Sequence, residues 1–174
     1  MQYFTILLGL AASVSAIDIR MRDRGNCNGA FLACRNINPN VCCGSGRQYA
    51  SVGIVAIPAS WSIEGRTYQG GGCTTLTSSS PSAARTNFCM PFVSTGASYR
   101  FLNGRRRTID VGSTEECTSS VKPDSLVLGD EVTTFAIADM EDALIDELMD
   151  HAANGLQAAD IPEKFKSFQV ADRK

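Results

Sequence analysis

Seven cysteines lie between residues 27 and 117, at Cys27, Cys34, Cys42, Cys43, Cys73, Cys89 and Cys117, and none follows. Their density is below that of a pure disulfide scaffold, so bridges are expected to staple a domain that also has a core. Metal ligation fits the spacing poorly: there is no C-x-x-C, and the one histidine, His151, lies outside the cluster. Adjacent Cys42 and Cys43 are expected to reach different partners and pin two segments at one point, because a bridge between neighbours strains the peptide link. Seven is odd. Three bridges leave one thiol free or engaged in a disulfide dimer.

The first residues agree with export. Phe4–Leu10 is a short apolar run, with Val14 and Ala16 at the −3 and −1 positions of a cleavage site. The run is about half the length of a bilayer crossing, so residues 1–16 read as a signal peptide. Nothing after it reads as a transmembrane anchor, and the expected product is secreted and extracellular.

Charge divides the rest. Residues 17–110 hold eleven Arg, no Lys and four acids, a net of +7; residues 111–174 carry a net of −9. Either the oppositely charged parts dock on each other, or the Arg-rich part faces an anionic partner. No nucleic-acid motif accompanies the arginines.

Residues 17–117 read as an Arg- and Cys-rich β domain. Strands are expected at 49–57 and 61–68, joined as a hairpin, and at 87–93, 98–102 and 107–111. Thr74–Ala84 reads as a surface loop by composition. Residues 118–174 read as an acidic hairpin-helix segment packed on that domain. Its hairpin turns at Gly129-Asp130. Its helix has Asp139 as N-cap and Gly155 as terminator, with Met140, Leu144 and Leu148 on one stripe beside Ala143, Ile145 and Ala152. A shorter turn is expected near Pro162. The fold class is α+β: a small disulfide-stapled β-sandwich or barrel-like domain with a C-terminal hairpin and helix.

Chemistry is sparse. No nucleophile elbow, phosphate loop, dinucleotide fingerprint or calcium loop is present, so no cofactor is expected. His151 with Glu147 one turn before it reads as a surface pair near a helix end. Glu64 and Asp110 are the carboxylates the β part offers for catalysis, and no catalytic residue is assigned. Arg105, Arg106 and Arg107 form the one local charge run. An ordinary turn, an anion site and a processing site are its three readings.

The pattern C-x6-C-x7-CC, with Asn38-Pro39 before Cys42-Cys43-Gly44, resembles small cysteine-rich secreted proteins of filamentous fungi. SVGIVAIPASW, TYQGGGC, NFCMPF and ASYRF are similar to the same group, as are VKPDSLVL, ELMDHAANG and DIPEKF. The resemblance implies a virulence-associated effector that is no enzyme and has a host or microbial protein or glycan as partner. It supplies no catalytic residues. A toxin acting through the Arg-rich face and a protease inhibitor baited by Arg66 or Arg105–Arg107 are the alternatives. Hydrophobins also carry Cys doublets, but two of them among eight cysteines, against one here.

Intact mass of the secreted protein after alkylation is expected to show six oxidised cysteines and one labelled thiol, or a disulfide dimer. Seven labelled thiols would reject the oxidised reading.

Overall fold

The computed structural model describes residues 17–102 and 117–170. The expected leader, the strand at 107–111, Asp110 and Arg105–Arg107 lie outside them. The order is β1 (Ile17–Arg22), β2 (Phe31–Ile37), β3 (Val41–Tyr49), β4 (Ser51–Val55), β5 (Ile63–Gln69), β6 (Thr75–Pro81), β7 (Phe88–Met90), β8 (Ser94–Phe101), β9 (Ser119–Val121), β10 (Ser125–Val127) and β11 (Thr134–Ala136). Then come α1 (Asp142–Ala153), α2 (Glu163–Lys166) and β12 (Gln169–Val170).

Two sheets face each other. The first runs β12-β11-β10-β2-β1-β4-β7, and the second runs β6-β5-β8-β3-β9. IDIRMR in β1 alternates, so Ile17, Ile19 and Met21 turn inward while Asp18, Arg20 and Arg22 turn outward. The same core holds Leu32, Val52, Ile54 and Leu126 from the first sheet and Tyr49, Ile63, Ala97 and Tyr99 from the second. β3 pairs antiparallel with β8 on one side and parallel with β9 on the other.

Residues 118–170 are woven into this frame. β9 joins the second sheet, and β10 pairs with β2 in the first. α1 presses Leu148, Met149 and Ala152 into the common core beside Phe135, Ile137 and Phe165. The buried stripe therefore includes Met149, while Ala143 is exposed. Asp139 is not the N-cap. Residues 138–140 make a turn that drops Met140 into the core, and the helix starts behind Glu141 with no side-chain cap. Gly155 ends it at φ +89°, where Gly155 N–H bonds Ala152 C=O and Leu156 N–H bonds His151 C=O. That is a Schellman closure, which needs a left-handed residue at this place.

Two expectations are corrected. Residues 49–57 and 61–68 do not form a hairpin: β4 lies in the first sheet and β5 in the second, so the chain crosses between layers at Pro58–Ser60. Thr74–Ala84 is not all loop. Thr75–Pro81 pairs with β5 as an edge strand. A strand exposed along its length needs no apolar alternation, which hid it from a hydrophobicity reading, and its threonines suit extended backbone. β1, β2 and β3 are further strands that no expectation covered.

The opposite charges meet on the surface of the fold. Arg22 Nη2 lies 2.9 Å from Glu131, and Arg47 Nη2 lies 2.6 Å from Asp150. The backbone N–H of Arg35 donates to Asp124 at 2.8 Å. On the outer face of the first sheet, Arg20 and Arg22 lie over the Phe31 ring at 4.9 and 4.4 Å and shield the small cluster of Phe31, Ala33 and Val127.

Packing generates one prediction. A Cβ on Gly65 would stand 2.3 Å from Ile54 Cδ1 and 2.8 Å from Phe88 Cζ. Gly65→Ala is expected to lower stability by about 1–3 kcal/mol in urea unfolding, as overpacking does. No loss would show that the core yields there.

Two buried tyrosines generate another. Burial pushes the phenols of Tyr49 and Tyr99 up from 10 to about 12. Their neutral forms are favoured by folding, so this contribution is complete below pH 10. Between pH 10 and 12 the unfolded chain sheds protons that the folded chain keeps. Stability is expected to fall as pH rises through that window, by roughly 1.4 kcal/mol per unit for each tyrosine. Urea unfolding at stepped pH checks it: Tyr49→Phe should flatten the fall, and an unchanged slope would refute the assignment.

Candidate functional site

The cysteine doublet organises the densest chemistry in the described residues. Neighbouring residues on a strand point to opposite faces. Cys43 points into the core and bridges Cys34 of β2, tying the two sheets together. Cys42 points to the outer face of the second sheet and bridges Cys73 in the β5–β6 connection. The third bridge joins Cys27 to Cys89 of β7. Cys117 is unpaired and half-buried.

Glycines make the Cys42–Cys73 bridge reachable. Gly44 and Gly96 are register partners on β3 and β8. A Cβ on Gly44 would stand 2.9 Å from Gly72 Cα, and one on Gly96 would stand 2.5 Å from Gly72 O. This bare spot lets the turn Gly70-Gly71-Gly72, all at positive φ, lie flat on the sheet and carry Cys73 to Cys42. Thr95 fixes the turn: its hydroxyl accepts from Gly71 N–H at 3.1 Å and donates to Gly72 O at 3.1 Å.

Cys117 enters the same place from β9. Thr118 N–H bonds Asn40 C=O, and the β9 residues that follow pair with β3. The sulfurs of Cys42, Cys73 and Cys117 all lie within 4.8 Å of one another. Cys42 and Cys73 have spent their thiols on each other, so the cluster is a thiol beside a disulfide and offers a metal only one thiol. Cys117 Sγ also lies 3.8 Å from Tyr68 Oη, which hydrogen-bonds Ser98 Oγ at 3.0 Å. Burial raises the Tyr68 phenol above its ordinary value.

Farther along β5, away from the sulfurs, runs a polar row. Glu64 Oε2 accepts from Arg100 Nε at 2.7 Å and from Arg66 Nε at 3.2 Å. The carboxylate considered for catalysis is thus clamped between two guanidiniums, and Arg66, the arginine considered as protease bait, is 4% exposed. His151 lies on α1, with Nε2 3.6 Å from Glu147. Lys164 bonds the same carboxylate and, with His151, holds it below its ordinary value. Neither pair is near the sulfurs in the topology: Glu64 is at the far end of β5 from Tyr68, and His151 is on the helix. An open groove of about 320 Å³ lies between the β2–β3 connection and β9, lined by Arg35, Asn36, Asn38, Ser119, Lys122 and Asp124. Arg105–Arg107 cannot be placed among these features, being outside the described residues.

Sequence reading singled out every cysteine but not their convergence, and it missed Tyr68, Ser98, Thr95 and the Gly44–Gly96 pair. The run Gly70-Gly71-Gly72 before Cys73 was the one signal for a close backbone approach.

Residues 18–124 match the family model ARB_05566_N, an N-terminal domain, and residues 130–174 match ARB_05566_C, a C-terminal domain. An uncharacterized secreted protein of Arthroderma benhamiae is 26% identical over 171 residues, covering 94% of this chain and 90% of its own. No solved structure matches. No described helix is long and apolar enough to cross a membrane. With three disulfides and a secreted relative that spans almost its whole length, this is a secreted, disulfide-bonded protein, and the chain belongs to the ARB_05566 family of fungal secreted proteins.

Proposed function

We propose that this secreted protein is a non-enzymatic effector that acts by binding a protein or glycan of a host or competitor. The observation that carries the reading is an exposed apolar group on a cross-linked frame. Leu76, Phe92 and Val93 are 53%, 46% and 48% exposed. They lie at one end of the second sheet: Leu76 is the register partner of Tyr68, and the next residue, Gln69, donates from Nε2 to Val93 C=O at 3.1 Å. A single exposed apolar residue is ordinary. Three together, one on β6 and two on the β7–β8 connection, beside the anchored turn that carries Cys73, make a pre-ordered contact surface. Binding of this kind needs a few anchors on a rigid base, with no reacting group.

The arginines support binding over a membrane-acting toxin. Arg22, Arg35 and Arg47 are engaged by Glu131, Asp124, Asp146 and Asp150 of the chain itself, and Arg66 and Arg100 by Glu64. Among the described residues these five arginines have their charge answered within the molecule, which weakens the field they would present to a vesicle.

Affinity capture from host and competitor extracts, with oxidised protein as bait, tests the proposal. Wild type is expected to retain a partner that Phe92→Ser/Val93→Ser holds at least tenfold more weakly, about 1.4 kcal/mol, with unchanged circular dichroism. Equal retention by the folded double variant would move the contact surface elsewhere. Turnover abolished by Glu64→Gln would replace the effector reading with an enzymatic one.

A further inference from the structure

We propose that Cys42, Cys73 and Cys117 form a thiol–disulfide exchange site, in which the bridge migrates from Cys42–Cys73 to Cys42–Cys117 and delivers the free thiol to the Gly70–Cys73 turn. The inference goes beyond the binding role and stands independently of it. Three residues from three separate elements bring their sulfurs within 4.8 Å of one another, two of them bonded and one free. An attacking thiol needs a disulfide sulfur within reach, and the fold supplies both partners of the reaction in one molecule.

The step balances without an external oxidant. Cys117 loses its proton to solvent, and its thiolate attacks Cys42 Sγ. The Cys117–Cys42 bond forms as the Cys42–Cys73 bond breaks, and the electron pair leaves on Cys73 Sγ, which takes up a proton. Disulfides number three before and after. The surroundings favour this direction of cleavage. Cys42 is 2% exposed on β3, paired with strands on both sides, so as a leaving group it would stay beside the new bond and re-attack. Cys73 sits half-buried, 3.8 Å from Ala97 C=O, at the end of a three-glycine turn held on the sheet by the bridge, by the pair of Thr95 bonds and by its packing on Gly44 and Gly96. Once released it can separate and meet a second reactant. The chemical class of that reactant is an external disulfide, which Cys73 would attack to give a mixed disulfide and one released thiol. The remaining bridges stand apart: Cys34–Cys43 is buried between the sheets, and Cys27–Cys89 ties the β4–β7 edge of the first sheet.

Glutathione disulfide is the probe. The oxidised full-length secreted protein is incubated with it at mildly alkaline pH, quenched in acid and mapped by peptide mass. The expected products are glutathione on Cys73 and a Cys42–Cys117 bridge in the same molecules, with Cys27–Cys89 and Cys34–Cys43 intact; Cys117→Ser should reduce Cys73 labelling to background. Glutathione on Cys117 alone, none anywhere, or scrambling of all three bridges would overturn the proposal. A second variant keeps the test independent of that labelling. Cys73→Ser, oxidised with the same reagent, is expected to close Cys42–Cys117. Two separate thiols or adducts at those positions would overturn it.

Discussion

The structure depends on two adjacent sulfurs that face opposite ways. Strand geometry forces consecutive side chains onto opposite faces, so Cys42 and Cys43 serve separate layers. Cys43 crosses the core to Cys34 and holds the sheets together. Cys42 holds the β5–β6 connection flat against the outer face. Each bridge shrinks the unfolded ensemble, which matters for a sandwich whose sheet pairs join residues far apart in the chain. Rotating β3 by one residue would exchange the two roles and break both, so the doublet also sets the register of the second sheet.

Around that strand the charge asymmetry becomes structural. The acidic C-terminal part sends β9 into one sheet and β10–β12 into the other, and its carboxylates meet Arg22, Arg35 and Arg47. Exposed pairs of this sort add little stability each. Their larger effect is to answer the charge of Arg22, Arg35 and Arg47 locally. Among the described residues, Leu76, Phe92 and Val93 stay exposed and Cys117 keeps a free thiol. Both features lie on the second sheet, whose inner side is rigidly cross-linked.

Much of the fold was legible, for reasons tied to particular residues. The helix announced itself through Leu144, Leu148 and Ala152 and the terminating Gly155, because an amphipathic stripe needs no knowledge of distant partners. The β10–β11 hairpin was readable from its apolar runs around Gly129-Asp130. β6 was hidden because Ser and Thr dominate loops and exposed edge strands alike. The false hairpin at 49–68 had local alternation on both sides of Pro58, and alternation says nothing about which sheet a strand joins. Asp139 looked like a cap, yet burial of Met140 decided where the helix began. The candidate site was legible only as a list of sulfurs.

From its sequence alone the protein was determined to be an exported, oxidised, β-rich chain with a C-terminal helix and an odd thiol. Those are properties of counts, local periodicity and the chemistry of single residues. The tertiary structure decided which sulfurs pair, that Cys117 stands beside a bridge, and which arginines are answered by acids. These outcomes depend on contacts between segments tens of residues apart, such as Gly96 beneath Gly72 and Cys117 beside Cys42. Only the packing of two sheets fixes such distances, since loop closure alone leaves a flexible chain many pairings of similar free energy.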